Sequence, residues 1–185
     1  VNGKPLRPKD KVIGGEIVEI RLEITNDPLK DAIAEDIPLD IVYEDEDILV
    51  INKPAEMIVH PGAGNPSGTL MNGLLYHYPE SRMLPRAGIV HRLDKNTSGI
   101  MVIAKTYDAY LSLCDQLATR DMGRIYHAVC YGVLIAGMTI DEPIGRHSKD
   151  RQKMAIQPTG KEAITHVRVI DRFREHTYIR CQLET

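Results

Sequence analysis

The sequence predicts an α+β domain built on a mixed, mainly antiparallel β-sheet with flanking helices. Short runs of apolar or alternating character recur from Ile41 to the end of the chain, whereas helical spacing shows only near Leu70 and Tyr110. Repeated strands with few helices between them favour antiparallel pairing.

Taken in order, Val1 to Leu22 has turn signals at Lys9-Asp10-Lys11 and Gly14-Gly15 before the alternating Ile17-Val18-Glu19-Ile20-Arg21-Leu22, a pattern of turns and short strands. Residues 23 to 39, with Asn26-Asp27-Pro28 and Asp36-Ile37-Pro38, read as an acidic, proline-limited linker, so the main domain is expected to start near Asp40. Ile41-Val42-Tyr43 and Ile48-Leu49-Val50-Ile51 read as two strands joined by the hydrated tip Glu44-Asp45-Glu46-Asp47. Residues 59 to 68 form a loop that superficially resembles a phosphate cradle. It lacks the Lys-Ser/Thr of a P-loop and contains Pro66, which excludes nucleotide binding of that kind. Leu70, Leu74 and Tyr78 give a short helix closed by Pro79.

Gly99-Ile100-Met101-Val102-Ile103-Ala104 has the apolar run of a buried strand. Tyr110, Leu113, Cys114 and Leu117 are spaced as on a helix, with Thr106 as its N-cap and Asp108 in its first turn. Arg124 to Val133 alternates as a strand, and further strands are expected near residues 153–157, 164–173 and 177–183. The chain does not start with Met and stops at Thr185 inside a strand pattern, so it is expected to be cut at both ends.

Composition bounds the function. With 43% hydrophobic and 26% charged residues the chain is an ordinary folded protein rather than a disordered one. No apolar run approaches the roughly 18 to 20 residues that span a bilayer, and the start lacks a signal-peptide pattern, so a cytoplasmic location without membrane contact is expected. Cys114, Cys130 and Cys181 stand isolated, which favours reduced thiols over a disulfide or zinc site, and no metal is expected. The net charge of -3 hides an asymmetry: residues 1 to 60 hold 7 Lys and Arg against 14 Asp and Glu, while residues 61 to 185 hold 16 against 12. A basic face is expected in the second part, where Arg146, Lys149, Arg151 and Lys153 cluster.

The most informative stretch is His91-Arg92-Leu93-Asp94-Lys95-Asn96-Thr97-Ser98-Gly99, which sets one carboxylate between an Arg-bearing lead-in and a small, turn-forming exit. Because the strand at Gly99 follows directly, Asp94 sits in a loop tied to a sheet. An ionised carboxylate taken out of water needs a partner, and Arg92 offers a structural ion pair. Loops on rigid scaffolds also carry catalytic groups, so both readings stay open at this level. A protein kinase is excluded, because Leu and Asp are transposed relative to its catalytic loop and no Gly-rich loop, V-A-I-K or D-F-G is present. A glycoside hydrolase would need a second carboxylate, and none is evident.

These nine residues resemble the HRLDxxTSG signature of the RluA/RluD family of pseudouridine synthases. The flanking Asp40 to Asp47, Asn52-Lys53-Pro54 and His60 to Pro66 fit the same frame, and the similarity runs over nearly the whole chain. It implies the pseudouridine synthase catalytic fold for residues 40–185, incomplete at its C-terminus, after a remnant of an S4-like RNA-binding domain at 1–22 and the linker at 23–39. The activity implied is cofactor-free isomerisation of uridines in 23S rRNA, within a stem-loop or a large-subunit precursor, with the target base flipped out. The resemblance makes Asp94 the catalytic carboxylate, acting as nucleophile, as stabiliser of an oxocarbenium-like centre or as remover of a sugar proton. It makes Tyr126 the ring that stacks on the uracil, whereas on residue type alone Tyr126 reads as a core residue of its strand.

Arg92 is expected to contact RNA near the vacated base position, and His91 either to contact RNA or to hold the loop. Arg146, Lys149, Arg151 and Lys153 supply the RNA-binding face, and Thr97 and Ser98 satisfy loop backbone groups. Family members continue into a T-G-R-T-H-Q-I-R type segment whose Arg pairs with the catalytic Asp, so this stretch alone is expected to turn over little. The alternative reading is a noncatalytic rRNA-binding module in which Asp94 merely orders a loop.

Overall fold

The computed structural model describes residues 14–15, 32–62, 64–150 and 153–184. The expected S4-like remnant and the first part of the expected linker lie outside the described residues apart from Gly14 and Gly15.

The first sheet is antiparallel, with β2 (Ile48–Lys53) between β1 (Ile41–Glu44) and β3 (Gly99–Ala104). The two-residue period of β2 turns Leu49, Ile51 and Lys53 to the buried face. They meet Met101 and Ile103 of β3 and Leu70, Met71, Leu74 and Leu75 of the helix α1 (Leu70–His77), which together form the core. At the tip between β1 and β2 the Asp45 carboxylate accepts from the amides of Asp47 and Ile48, and Lys105 bridges to Glu44 at 2.7 Å. Those contacts hold the carboxylates of Glu44 and Asp45 below their usual range, so the acidic tip is a satisfied turn.

A reciprocal cap starts α1: the Asn72 amide donates to the Thr69 hydroxyl, and the Thr69 amide donates to the Asn72 side-chain oxygen. Residues 32–39, the second half of the expected linker, form an ordered strap along this helix. Asn72 Nδ2 donates to the Ile33 carbonyl at 2.7 Å, the Glu35 amide donates to the Asn72 carbonyl at 3.0 Å, and the Gly68 amide donates to the Glu35 carboxylate. A Cβ at Gly73 would sit 3.2 Å from the side chains of Ile37 and Leu39, so the helix keeps a glycine where the strap crosses it.

The helix α2 (Tyr107–Ala118) is capped by Thr106, whose hydroxyl accepts from the Ala109 amide, as its sequence indicates, and it packs on β3. Beyond it, a second antiparallel sheet has the order β4 (Arg124–Tyr131), β9 (His176–Leu183), β8 (Ile164–Arg172), β5 (Met138–Asp141). A hairpin, β6 (Ile144–Arg146) with β7 (Met154–Ile156), stands beside this sheet. Every named strand pair among the described residues is antiparallel, which bears out the predicted class. The sequence reading omits β5 and β6, segments of four and three residues separated by Pro143. Tyr126 of β4 packs back against the first core, joining the two sheets at the site described next.

Candidate active site

Three contacts fix the backbone around Asp94. Leu93 is 6% exposed and belongs to the core cluster, so the chain is anchored one residue before the carboxylate. The Thr97 amide donates to the Asp94 carbonyl at 3.1 Å and closes a turn. On the far side of that turn, the Lys95 carbonyl accepts from Lys53 Nζ at 3.2 Å.

Lys53 is a residue to which the sequence assigns no role. It is 0% exposed, and its ammonium donates to three backbone carbonyls, those of Pro54 (2.8 Å), Met57 (2.9 Å) and Lys95. Three donors meet three acceptors, which is how a buried ammonium avoids the cost of lost hydration. Burial lowers its pKa from the ordinary lysine value, and the nearby Asp94 carboxylate opposes that lowering. The signal was present in the strand: the alternation of Leu49 and Ile51 places position 53 on the inner face.

His91 holds the other side of the loop. Its Nε2 accepts from the Val102 amide of β3 at 3.1 Å, so the ring is neutral with its proton on Nδ1. Burial, and then the charge of Arg124, push its pKa down. Of the two roles open to His91 in the sequence, the geometry supports holding the loop.

Upstream, Arg86 and Ala87 both have φ of 54° and Gly88 has φ of 80°, a left-handed turn that hands the chain to β3 through the Ile89–Ile103 bridge. A Cβ on Gly88 would lie 2.0 Å from the Ala104 carbonyl oxygen. Nothing in the sequence marks Arg86 or Ala87 for this conformation, which non-glycine residues adopt at a cost.

Held this way, Asp94 is exposed. The ion pair with Arg92, one reading left open by the sequence, is not formed: no ion pair joins them among the described residues, and Arg92 is close to His60 instead. Beside Asp94 opens a cleft of about 490 Å³, walled by His91, Leu93, Thr97, Ser98 and Gly99 on one side and by Arg124 and Tyr126 on the other. Asp94 flanks this cleft rather than lining it. The loop and Tyr126 thus meet at one opening although 31 residues separate them in the β-rich topology around it, a span read from positions 95 to 125 of the chain.

The basic residues of the second part are elsewhere. Arg146 ends β6, Lys149 is in the connecting turn, Lys153 precedes β7, and none lines the cleft; Arg151 lies outside the described residues. Lys153 Nζ is 3.4 Å from the Asp150 carboxylate, an exposed pair that offsets part of the local charge. No group of three or more His, Cys, Asp or Glu side chains suited to hold a metal ion occurs among the described residues. No helix among them is long and apolar enough to cross a membrane.

An exposed carboxylate stands on a loop held by its neighbours, beside a cleft that a tyrosine lines and next to two antiparallel sheets. The description of the RNA pseudouridylate synthases fits residues 47–185, and the chain belongs to that family. Among curated relatives, ribosomal large subunit pseudouridine synthase D of Escherichia coli is 54% identical over 186 residues, covering 100% of this chain and 56% of that protein. The proteins of the same name from Yersinia pestis and Xylella fastidiosa are 55% and 52% identical, with 57% and 55% of their lengths covered. The chain therefore spans little more than half the length of these relatives. Among solved structures, human RNA Pseudouridylate Synthase Domain Containing 1 superposes with a TM-score of 0.64 at 25% identity, over 80% of this chain and 60% of that one. Human RNA Pseudouridylate Synthase Domain Containing 4 gives 0.58 at 25% identity, over 78% and 59%.

Proposed function

We propose that the protein converts specific uridines of 23S rRNA to pseudouridine, with Asp94 as the catalytic carboxylate and no cofactor. The observation that carries the reading is the exposed Asp94 carboxylate, without an ion-pair partner among the described residues, on a backbone held by its neighbours next to the cleft that Tyr126 lines. The names of the curated relatives support a ribosomal large subunit substrate.

The chemistry is an isomerisation. The bond from ribose C1' to uracil N1 breaks, the freed base turns within the cleft, and C1' joins C5. The C5 proton leaves and N1 gains one, so atoms and electrons balance without a co-reactant. A carboxylate serves as nucleophile at C1', as electrostatic partner of the electron-poor sugar, or as acceptor of a sugar proton. Tyr126 offers its ring face to the uracil, retaining it while it is detached. A volume of about 490 Å³ lies within the range of small-ligand sites and suits a single everted nucleotide. Eversion costs a few kcal/mol of stacking and pairing, which contacts from Arg92 at the vacated position offset. Arg146, Lys149, Arg151 and Lys153 extend the contact to RNA phosphates, so binding weakens steeply with salt.

Replacing Asp94 by Asn in the full-length protein tests the reading against a noncatalytic rRNA-binding module. Pseudouridine in 23S rRNA from cells carrying only the variant should disappear while RNA binding persists. Undiminished pseudouridine would end the enzymatic reading.

A further inference from the structure

Two cations near the active-site loop are unused by the contacts above. Arg86 and Arg92 are exposed, and no carboxylate pairs with either among the described residues. Both lie close to His60, and His60 Nε2 is buried with no hydrogen-bond partner among the described residues. Burial, and after it the two guanidinium charges, push the His60 pKa down, so the ring is neutral and can present Nε2–H as a donor. Buried polar atoms are nearly always satisfied, and an orphan beside two unpaired cations is short of an acceptor, not of another donor.

The backbone adds an independent observation. Arg86 has φ 54° and ψ 34°, which costs a non-glycine residue about 1–2 kcal/mol. Glycine would remove that cost, and the next residue but one, Gly88, is a glycine; at position 86 an arginine stands instead. Strain of this kind persists at sites where a side chain must be held in one place. Arg86 is also within electrostatic reach of Tyr110, whose ring stacks on that of Tyr107 at 6.4 Å and 15°, with Tyr107 57% exposed. Guanidinium groups next to exposed aromatic rings are the chemistry that recognises single-stranded RNA: phosphates on the cations, bases on the rings.

We infer that Arg86 and His60, together with Arg92, form a phosphate site for the RNA strand next to the target nucleotide, with the Tyr107–Tyr110 pair as the adjoining base platform. The inference rests on the functional reading above only for the choice of RNA. It assigns to Arg86 a binding role that the cluster at Arg146 to Lys153, with Lys153 already paired to Asp150, fills less well near the cleft. Arg86 acts by binding, and no proton or bond changes at it.

The test measures binding of the full-length protein to a short oligouridylate across a salt series. Arg86→Gln should weaken binding about five- to tenfold at low salt and reduce the slope of log K against log salt by about 0.7 to 0.9, the value of one lost phosphate contact. Arg86→Lys should restore the slope, and Arg86→Gly should match Gln in slope while melting higher, because its turn is relaxed. A wild-type slope in Arg86→Gln overturns the site. A Lys variant that fails to restore the slope traces the loss to the fold of the turn and overturns it as well. Tighter binding of polyglutamate than of oligouridylate would assign the surface to an acidic protein, with the same result. Pseudouridine formation by the wild type on rRNA is read separately. A wild type that shows the salt slope but forms no pseudouridine fails the functional reading alone, and one that isomerises while Arg86→Gln binds normally fails this inference alone.

Discussion

Substituting Lys53 by Met removes the ammonium that joins the Asp94 loop to the turn at Pro54–Met57 while nearly conserving volume. Three carbonyls lose a charged donor, at 2.8, 2.9 and 3.2 Å. A hydrogen bond lost from the fold costs about 1 kcal/mol net, so the three together cost about 3 kcal/mol. Met recovers about 1 kcal/mol, because the desolvation of a buried cation is no longer opposed to folding. The net loss of about 2 kcal/mol lowers the melting temperature of a chain this size by about 4 to 8 °C. Thermal unfolding followed by far-ultraviolet circular dichroism reads the shift. Since Lys53 is 0% exposed and cannot touch RNA, single-turnover pseudouridine formation well below the melting temperature should fall much less than it does in Asp94→Asn. An unchanged melting temperature would refute the reasoning, because it would mean that these carbonyls find other donors at no cost.

Three further outcomes follow from the same geometry. Gly88→Ala places a Cβ 2.0 Å from the Ala104 carbonyl oxygen at a φ of 80°, and should destabilise the protein by about 2 kcal/mol or more in urea titration; a wild-type midpoint would contradict the packing of this turn on β3. Gly73→Ala would stabilise an open helix by about 1 kcal/mol, but here the methyl meets Ile37 and Leu39 at 3.2 Å, so a net loss and faster hydrogen exchange at the Glu35 amide are predicted, with a stabilised variant as the adverse result. His60 and His91 both titrate below their ordinary value of 6.5 in the fold, so the unfolded chain binds protons more readily. Their contribution to stability is complete above pH 6.5 and is lost as the pH falls through the lowered values. His91→Gln should flatten part of that decline, and an acid limb identical to wild type would count against the burial of the His91 ring as its cause.

Much of this was legible in the residues themselves. Short apolar runs exposed β1, β2 and β3, alternation exposed β4, the spacing of Leu70 and Leu74 exposed α1, and Thr106 announced the start of α2. The Asp94 loop was legible as a motif. What escaped has a common cause. The strap at residues 32–39 reads as linker because its acidic and proline residues dominate the local signal, while the contacts that order it come from Asn72 and Gly73, more than 30 residues away in the chain. The left-handed turn at Arg86 and Ala87 leads into the close approach of Gly88 to the Ala104 carbonyl, and neither residue type signals it. Lys53 was readable only by trusting the strand period over the polarity of the side chain, and the orphan nitrogen of His60 appears only once Arg86 and Arg92 are placed around it.

On the catalytic role proposed for Asp94, the arrangement around it separates two requirements that a single ion pair would have set against each other. A catalytic carboxylate must keep its charge available for a sugar that arrives later, yet its position must not drift, because misplacement by an ångström is costly to the reaction. Pairing Asp94 with Arg92 would hold the side chain but engage the charge the chemistry needs. The structure instead restrains the backbone: Leu93 in the core, the Thr97 amide on the Asp94 carbonyl, Lys53 on the Lys95 carbonyl, and the Val102 amide on His91. Each restraint acts on a neighbour or on the Asp94 backbone, and the carboxylate remains exposed. Preorganisation of this kind carries its cost in the folding of β2, β3 and the turn at Gly88 rather than at the moment of reaction. Substitutions at Lys53, His91 or Gly88 should therefore lower stability first and activity second, whereas Asp94→Asn should leave the melting temperature near wild type and abolish isomerisation. A variant at Lys53 that kept full stability yet lost isomerisation would reverse that order and show that the lysine charge itself takes part in the chemistry.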